Sequence, residues 1–207
     1  NAIWFSSGAW SIIPQRKSSL GACRYKDGIW RTYNLANSPI HTDNIYTVAV
    51  DSKDRKWFGT FDATQASPPG WKYGVSIFDE VNNQWFWLSH SGMYQWDETT
   101  QSYGGSPIGT AQVQGDTDVG INCDRYGNMF IACSGEGFTV LSPDDELIRF
   151  FSIPNSVRQA VQYSYHNGKQ YFLGTHNDRG LVIWNDDSIP ETNGIHWLIP
   201  DPPELNN

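Results

Sequence analysis

The stretch NIYTVAVDSKDRKWFGT, residues 44–60, has the pattern of two strands joined by a turn, because β-branched and aromatic residues lie on either side of the polar tetrapeptide SKDR. After a loop, GVSIFD (residues 74–79), the turn EVNN (80–83) and QWFWL (84–88) give a second pair of strands. We call these four strands A to D in chain order. Together they predict one antiparallel four-stranded sheet.

The same order of strands returns in the rest of the chain. Strands A to D are predicted again at residues 119–124, 128–134, 137–142 and 146–151, and once more at 160–165, 170–175, 180–185 and 195–199. The N-terminal part lacks strand A and has B, C and D at residues 3–7, 20–25 and 28–33. Repeats of about 40–50 residues are typical of β-propellers. We therefore predict an all-β protein, a β-propeller or part of one, with about four to five four-stranded antiparallel blades.

Each predicted B strand carries an aromatic residue, and these are Trp4, Trp57, Phe130 and Phe172. An aromatic side chain at this position is suited to filling the space between neighbouring blades. We therefore expect the four residues to be equivalent. The link from A to B has the sequence form Asp-x-x-Gly at residues 124–127. This form favours a tight turn, because the Asp side chain bonds its own backbone and Gly accepts a positive φ.

The interval between Trp57 and Phe130 is too long for one blade and too short for two. Within it GMYQWD, residues 92–97, has the pattern of a C strand without a preceding A and B. Such a strand would leave unpaired edges inside the array. We expect either a degenerate blade or an omission of residues near 89–92, and favour the omission. Residues 1–207 then form a single propeller domain or a fragment of a larger propeller.

The composition argues against several classes of function. A formal net charge of −8, without a large basic cluster, gives no electrostatic footprint for nucleic acid. No apolar run reaches the length that a membrane-spanning helix needs. The chain begins without Met, inside a predicted strand, so a targeting segment would have been lost from it. Three cysteines without metal-ligand spacing predict buried thiols, and we expect no metal and no cofactor.

Candidate binding residues come from the loops between strands B and C. In a propeller these loops gather with the D to A links on one face around the channel, where ligands generally bind. The predicted ligand-binding residues are Trp10, Asp62, Trp71, Tyr73, His176, Asp178 and Arg179. Aromatic rings beside amide and acid groups can stack on sugars and bond hydroxyl groups, or hold a peptide. The alternative is that Trp71 and Tyr73 only fix a long loop to the blade.

No catalytic residue is assigned. Asp62, His176 and Asp178 could converge as acid and base groups, and paired carboxylates are what glycoside chemistry needs. Acids at turns are abundant in this chain, however, and most of them form turns. The histidines have no metal-ligand spacing, and the aspartates at 116–124 match no calcium-binding loop.

The segment from Asn37 to Thr60 resembles the two-component-regulator propeller repeat. NSPI (37–40), DNI (43–45) and Asp51 followed by KWFGT (56–60) are similar to its approach "NSPL…DN-I" and its hairpin "D-x-x-G-x-I/L-W-I/F-G-T". The resemblance is strongest over residues 21–60 and returns over 117–185. Asp54-Arg55 replaces the turn glycine, and Ala132-Cys133-Ser134 replaces Gly-Thr.

This resemblance implies a non-enzymatic binding or scaffolding propeller, periplasmic or at the cell surface, in an exported protein of a Bacteroidetes-like cell envelope. It implies either the sensing region of a hybrid two-component glycan sensor or a PorZ-like protein allied to type IX secretion. The expected partners are a protein or glycan ligand at the channel face and other domains of a larger chain or complex. The alternative is a propeller-type polysaccharide or lactone lyase, for which only Asp62, His176 and Arg179 are available.

Overall fold

All regular structure in the described part of the chain is β-strand. The computed structural model describes residues 2–7, 20–60, 74–113, 118–133 and 137–152, and the strands at 162–166, 169–176, 180–185 and 195–198, for which the backbone alone is described. These parts contain seventeen strands and no helix, and thus no helix that could cross a membrane. The strands form four antiparallel sheets in which chain order is also spatial order.

The first sheet contains β1 (Ile3–Ser7), β2 (Gly21–Lys26) and β3 (Ile29–Tyr33). The second contains β4 (Ile45–Val50), β5 (Lys56–Thr60), β6 (Val75–Asp79), β7 (Gln84–Ser89), β8 (Gly92–Asp97) and β9 (Ser102–Gly104). The third contains β10 (Asp118–Cys123), β11 (Met129–Cys133), β12 (Gly137–Leu141) and β13 (Leu147–Ser152). The fourth contains β14 (Gln162–His166), β15 (Lys169–His176), β16 (Gly180–Asn185) and β17 (Ile195–Leu198).

The A to B turn of the second sheet shows why this sequence folds as a hairpin without the expected glycine. The Asp51 carboxylate accepts hydrogen bonds from the backbone N–H groups of Lys53 and Arg55, at 2.9 and 2.8 Å. Asp54 has a φ of 61°, in the left-handed region where Gly127 of the third sheet has 87°. Asp tolerates this conformation better than most residues. Asp54 therefore replaces the turn glycine without changing the turn.

The second sheet differs from the predicted four strands, because β8 and β9 extend it to six. Ser89 pairs with Gly92, so β8 folds back directly on β7, and β9 pairs with the other side of β8. The predicted C strand at residues 92–97 thus has neighbours on both sides and does not begin a blade. An omission near residues 89–92 stays a prediction, but the unpaired edges that motivated it do not exist in this structure.

Neighbouring sheets pack face to face through the predicted B-strand aromatics. Trp4 of the first sheet lies against Phe58 and Phe78 of the second, with ring centroids 5.7 and 6.2 Å apart. On the opposite face of the second sheet, Trp57 is fully buried in a cluster that includes Met129 and Ile131 of the third. Each of these two aromatics therefore fills the space toward the following sheet.

The strands that lead each sheet, β1, β4, β10 and β14, contact one another in sequence. Consecutive antiparallel sheets stacked face to face, with their leading strands in contact, have the arrangement of blades in a propeller. The prediction of an all-β protein with propeller blades is therefore confirmed. The four sheets fall within the predicted number of blades.

Strand register tests the predicted equivalence of the B-strand aromatics. Trp4, Trp57 and Phe130 pair with Arg24, Ile77 and Val140, each the third residue after the glycine that opens its C strand. In the fourth sheet the third residue after Gly180 is Ile183, and it pairs with Leu173. The register counterpart there is thus Leu173 and not Phe172, one residue from the predicted position.

Candidate functional site

The described structure does not include the side chains of the predicted ligand-binding residues. Trp10, Asp62, Trp71, Tyr73, Asp178 and Arg179 lie outside the described residues. His176 is the last residue of β15, and its backbone pairs with Gly180, but its side chain also lies outside the description. The binding face at the B to C loops therefore stays a prediction.

A different site is visible in the described part of the chain. A cavity of about 580 Å³ lies between the link from β3 to β4 and the β8–β9 hairpin that extends the second sheet. Residues 35–40 form one wall, and Trp96, Glu98 and Gln101 form the other. We call it the link pocket.

The link wall is held in shape by its own hydrogen bonds. The Asn34 carbonyl accepts hydrogen bonds from the backbone N–H groups of Asn37 and Ser38, at 3.0 and 2.9 Å. The Asn37 amide donates to the Thr32 carbonyl at 2.9 Å and accepts from the Asn34 N–H at 2.9 Å. The following Ile40 is buried between the first and second sheets. The sequence NSPI therefore gives a preformed wall and not a mobile loop.

The opposite wall is fixed by aromatic contacts. The Trp96 ring packs edge-on against Tyr103, with centroids 5.1 Å apart. Tyr103 donates a hydrogen bond from its hydroxyl to the Pro39 carbonyl at 2.5 Å, and this bond joins the hairpin to the link. Burial raises the pKa of Tyr103 far above its usual range, so it stays a neutral donor. Trp96 is partly exposed, and its Nε1 has no hydrogen-bond partner in the described structure.

The polar groups of the link pocket are accessible. Glu98 and Gln101 are exposed, and the Gln101 amide donates to the Glu98 carbonyl at 2.8 Å. Asn37 is exposed on the facing wall. The pocket thus offers an aromatic ring, a carboxylate and two amides on rigid supports. Such a set can bind a ligand with hydroxyl groups, and Glu98 is the one ionisable side chain among the described residues that line the pocket.

One buried ionisable residue outside the pocket packs the link against the second sheet. His41 is fully buried in the link, and its Nδ1 lies 2.6 Å from the Ser76 hydroxyl. Burial lowers the pKa of His41 to about 3, so the ring is neutral. Its Nε2 has no partner in the described structure. No group of three or more His, Cys, Asp or Glu side chains that could hold a metal ion is found among the described residues.

The link pocket was not predicted from the sequence. Asn37 to Ile40 were recognised only as a marker of the repeat, and Trp96 only as part of a C strand. The signal that could have found the site is the extra strand pair after QWFWL (84–88), which adds a hairpin to the outer edge of the second sheet.

Comparisons with known proteins place few limits on function. No family model matches the chain, and no curated protein matches it. Among solved structures it is similar to the extracellular domain of a hybrid two-component system from B. thetaiotaomicron, with 13% identity and a TM-score of 0.35, covering 87% of this chain and 28% of that one. A one-component system domain from the same organism gives 13% identity and a TM-score of 0.32, covering 87% of this chain and 35% of that one.

A third similar structure is described as a gluconolactonase, with 11% identity and a TM-score of 0.36, covering 81% of this chain and 68% of that one. The chain thus spans well under half of both extracellular domains. At these identities and TM-scores the likeness assigns no activity to this chain.

Proposed function

We propose that this chain is a non-enzymatic binding propeller of an exported bacterial envelope protein, periplasmic or extracellular, and that its ligand is a glycan. The link pocket is the observation that carries the proposal. The face of a sugar ring packs on an aromatic side chain, and its hydroxyl groups bond carboxylates and amides. Trp96, Glu98 and Asn37 supply these groups in one cavity of suitable size.

The rigidity of both walls supports binding. Asn37 and Tyr103 are held by hydrogen bonds before any ligand arrives. A preformed site loses little conformational entropy when it binds. The predicted loop residues Trp10, Trp71 and Tyr73 have the same side-chain chemistry and remain separate candidates for binding. Glycan sensing within a hybrid two-component system fits this ligand better than the type IX secretion setting, where the partner would be a protein.

A glycan array followed by titration calorimetry tests the proposal. We expect binding to a defined glycan, with a loss of at least about tenfold in affinity for Trp96→Ala and for Glu98→Gln. Tyr126→Ala is the matched control, because Tyr126, in the turn between β10 and β11, is 58% exposed and does not line the pocket. If Trp96→Ala binds as tightly as the wild type, the link pocket is not the site. Product analysis of the bound glycan tests the lyase alternative, since a non-enzymatic propeller leaves it intact.

A further inference from the structure

The two segments that form the link pocket carry acids but neither Lys nor Arg. Residues 34–44 of the link contain Asp43, and residues 92–104 of the hairpin contain Asp97 and Glu98. The histidine of the link is buried and neutral. The formal charge of these two segments is therefore negative.

The other two acids lie beside residues that line the pocket. The Asp43 carboxylate accepts a hydrogen bond from the backbone N–H of Leu35, a lining residue, at 2.7 Å. Asp97 precedes Glu98 in the chain, and hydrogen bonds from Thr99 lower the pKa of Asp97, so it stays ionised. Both acids therefore add to the negative potential around Glu98.

The backbone of the link wall directs its N–H groups inward. The N–H groups of residues 35–38 donate within the link, to the Asp43 carboxylate and to the side chain and carbonyl of Asn34, at 2.7 to 3.0 Å. Pro39, which follows, has no N–H. Successive backbone N–H groups in turns commonly bind anions. The link wall offers no such group over residues 35–39.

The side chains of the pocket present mostly hydrogen-bond acceptors. The Gln101 amide nitrogen donates to the Glu98 carbonyl and carboxylate, at 2.8 and 3.2 Å, so the polar atom that Gln101 has left is its oxygen. The Ser38 hydroxyl donates within the link at 2.9 Å and can only accept from a ligand. The Trp96 Nε1 is shielded from solvent, and Asn37 keeps one amide N–H. A ligand of this pocket must therefore supply the donors.

We propose that the glycan bound in the link pocket carries protonated amino groups, as unacetylated amino sugars do, and that the pocket excludes uronic acids and sulfated sugars. An ammonium group has three donors and no acceptor. It is attracted both to a carboxylate and to the face of an indole ring. Glu98 and Trp96 supply these two groups on one wall of the pocket. The inference rests on the proposed function and names the class of its ligand.

Titration calorimetry with matched tetrasaccharides tests this inference. The probes are β-1,4-linked tetramers of glucosamine, glucose and glucuronic acid, which share one backbone and differ in charge. At about pH 6 carboxylates are ionised and amino groups are protonated. The glucosamine tetramer should bind about tenfold more tightly than the glucose tetramer, as expected for an exposed ion pair together with a cation–π contact. The glucuronic acid tetramer should not bind measurably.

Two isosteric variants assign the preference to the pocket. Glu98→Gln should leave the affinities for the glucosamine and glucose tetramers within about threefold of each other. Glu146→Gln is the control and should keep the tenfold preference, because Glu146 is exposed in the turn between β12 and β13 and does not line the pocket. Both variants lose the same charge, so the pair separates an effect at the pocket from attraction by the net charge of −8. Near-UV circular dichroism verifies that each variant is folded.

Several outcomes would overturn the inference. They are a glucosamine tetramer that does not bind or binds no more tightly than the glucose tetramer, binding of the glucuronic acid tetramer, a preference that survives Glu98→Gln, and a preference that is lost equally in Glu146→Gln. The glycan array decides the proposed function separately. A glycan without amino groups whose binding requires Trp96 would support the proposed function and overturn this inference alone.

Discussion

Arg55 of the second sheet and Asp145 of the third form a bidentate ion pair across the junction of two blades, with Nη1 to Oδ2 at 2.8 Å and Nη2 to Oδ1 at 2.6 Å. The Nε of the same guanidinium donates to Asp51 at 2.6 Å, and Asp51 also accepts the indole N–H of Trp57 at 2.8 Å. Asp51 therefore binds both the A to B turn and the B-strand aromatic, and Arg55 links it to the neighbouring blade. Both carboxylates and the guanidinium are largely buried.

Substitution of Arg55 should destabilise the chain strongly. Arg55→Ala leaves the carboxylates of Asp51 and Asp145 buried without their partner, which costs about 3–5 kcal/mol. The measurement is the free energy of unfolding in urea. Lys53→Ala is the control, because Lys53 is 45% exposed and its Nζ lies no nearer than 3.6 Å to Asp144 and 3.9 Å to Asp145. A surface pair of this kind contributes about 1 kcal/mol or less. Equal losses for the two variants would contradict the structural role of Arg55.

The hydrogen bond of Trp57 can be separated from its packing. Trp57→Phe keeps an aromatic ring in the buried cluster but leaves the Asp51 acceptor without its indole donor, so we expect a loss of about 1–3 kcal/mol in the free energy of unfolding. Trp57→Ala also leaves a cavity and should cost about 3–5 kcal/mol. Trp30→Phe, at a site that is 63% exposed, should change the free energy of unfolding by less than about 0.5 kcal/mol.

Two glycines of the first sheet with nearly the same φ should differ in their tolerance of alanine. Gly21 and Gly28 have φ values of 82° and 81°. A Cβ on Gly21 would overlap the Tyr33 carbonyl oxygen, whereas a Cβ on Gly28 would meet no atom within 4 Å. Gly28→Ala should cost about 1–2 kcal/mol from backbone strain alone, and Gly21→Ala about 1–3 kcal/mol more. Thermal midpoints of the two variants, measured side by side, would refute this if they coincide.

Protonation of His41 should contribute to acid unfolding. Its pKa is about 3 in the folded chain and about 6.5 when unfolded, so the unfolded state binds the proton first as the pH falls. The stability associated with neutral His41 is thus complete above about pH 6.5 and is lost between about pH 6.5 and about pH 3, at up to about 1.4 kcal/mol per pH unit. The free energy of unfolding in urea, measured across this pH range, should depend less steeply on pH for His41→Leu than for the wild type. Ser76→Ala keeps the histidine and should keep the slope.

The sequence predicted the strands of the second sheet well, because turn chemistry and alternating apolar residues are local signals. The segments predicted at 56–60 and 84–88 agree with β5 and β7 to within one residue. It did not predict that β8 extends this sheet, since a period of two residues does not distinguish a new blade from an added edge strand. It also missed the Arg55–Asp145 pair, because partners 90 residues apart are set by the stacking of sheets.

The aromatic position of the fourth B strand was predicted one residue away from its register counterpart, for a related reason. Phe172 follows the aromatic pattern, but strand register assigns Leu173 to the place of Trp57 and Phe130. Register depends on the pairing partner and not on residue type. The candidate site shows the same limit. The link pocket joins residues 35–40 to Trp96 and Gln101, and only tertiary packing brings these segments together.

The most direct measurement of the proposed blade order is nuclear Overhauser spectroscopy of the aromatic side chains, with Trp4 observed selectively. The stacking of the first sheet on the second predicts cross-peaks from the Trp4 indole to the rings of Phe58 and Phe78, whose centroids lie 5.7 and 6.2 Å away. Cross-peaks from Trp4 only to residues of its own sheet, such as Tyr33, would show that the sheets do not stack as successive blades.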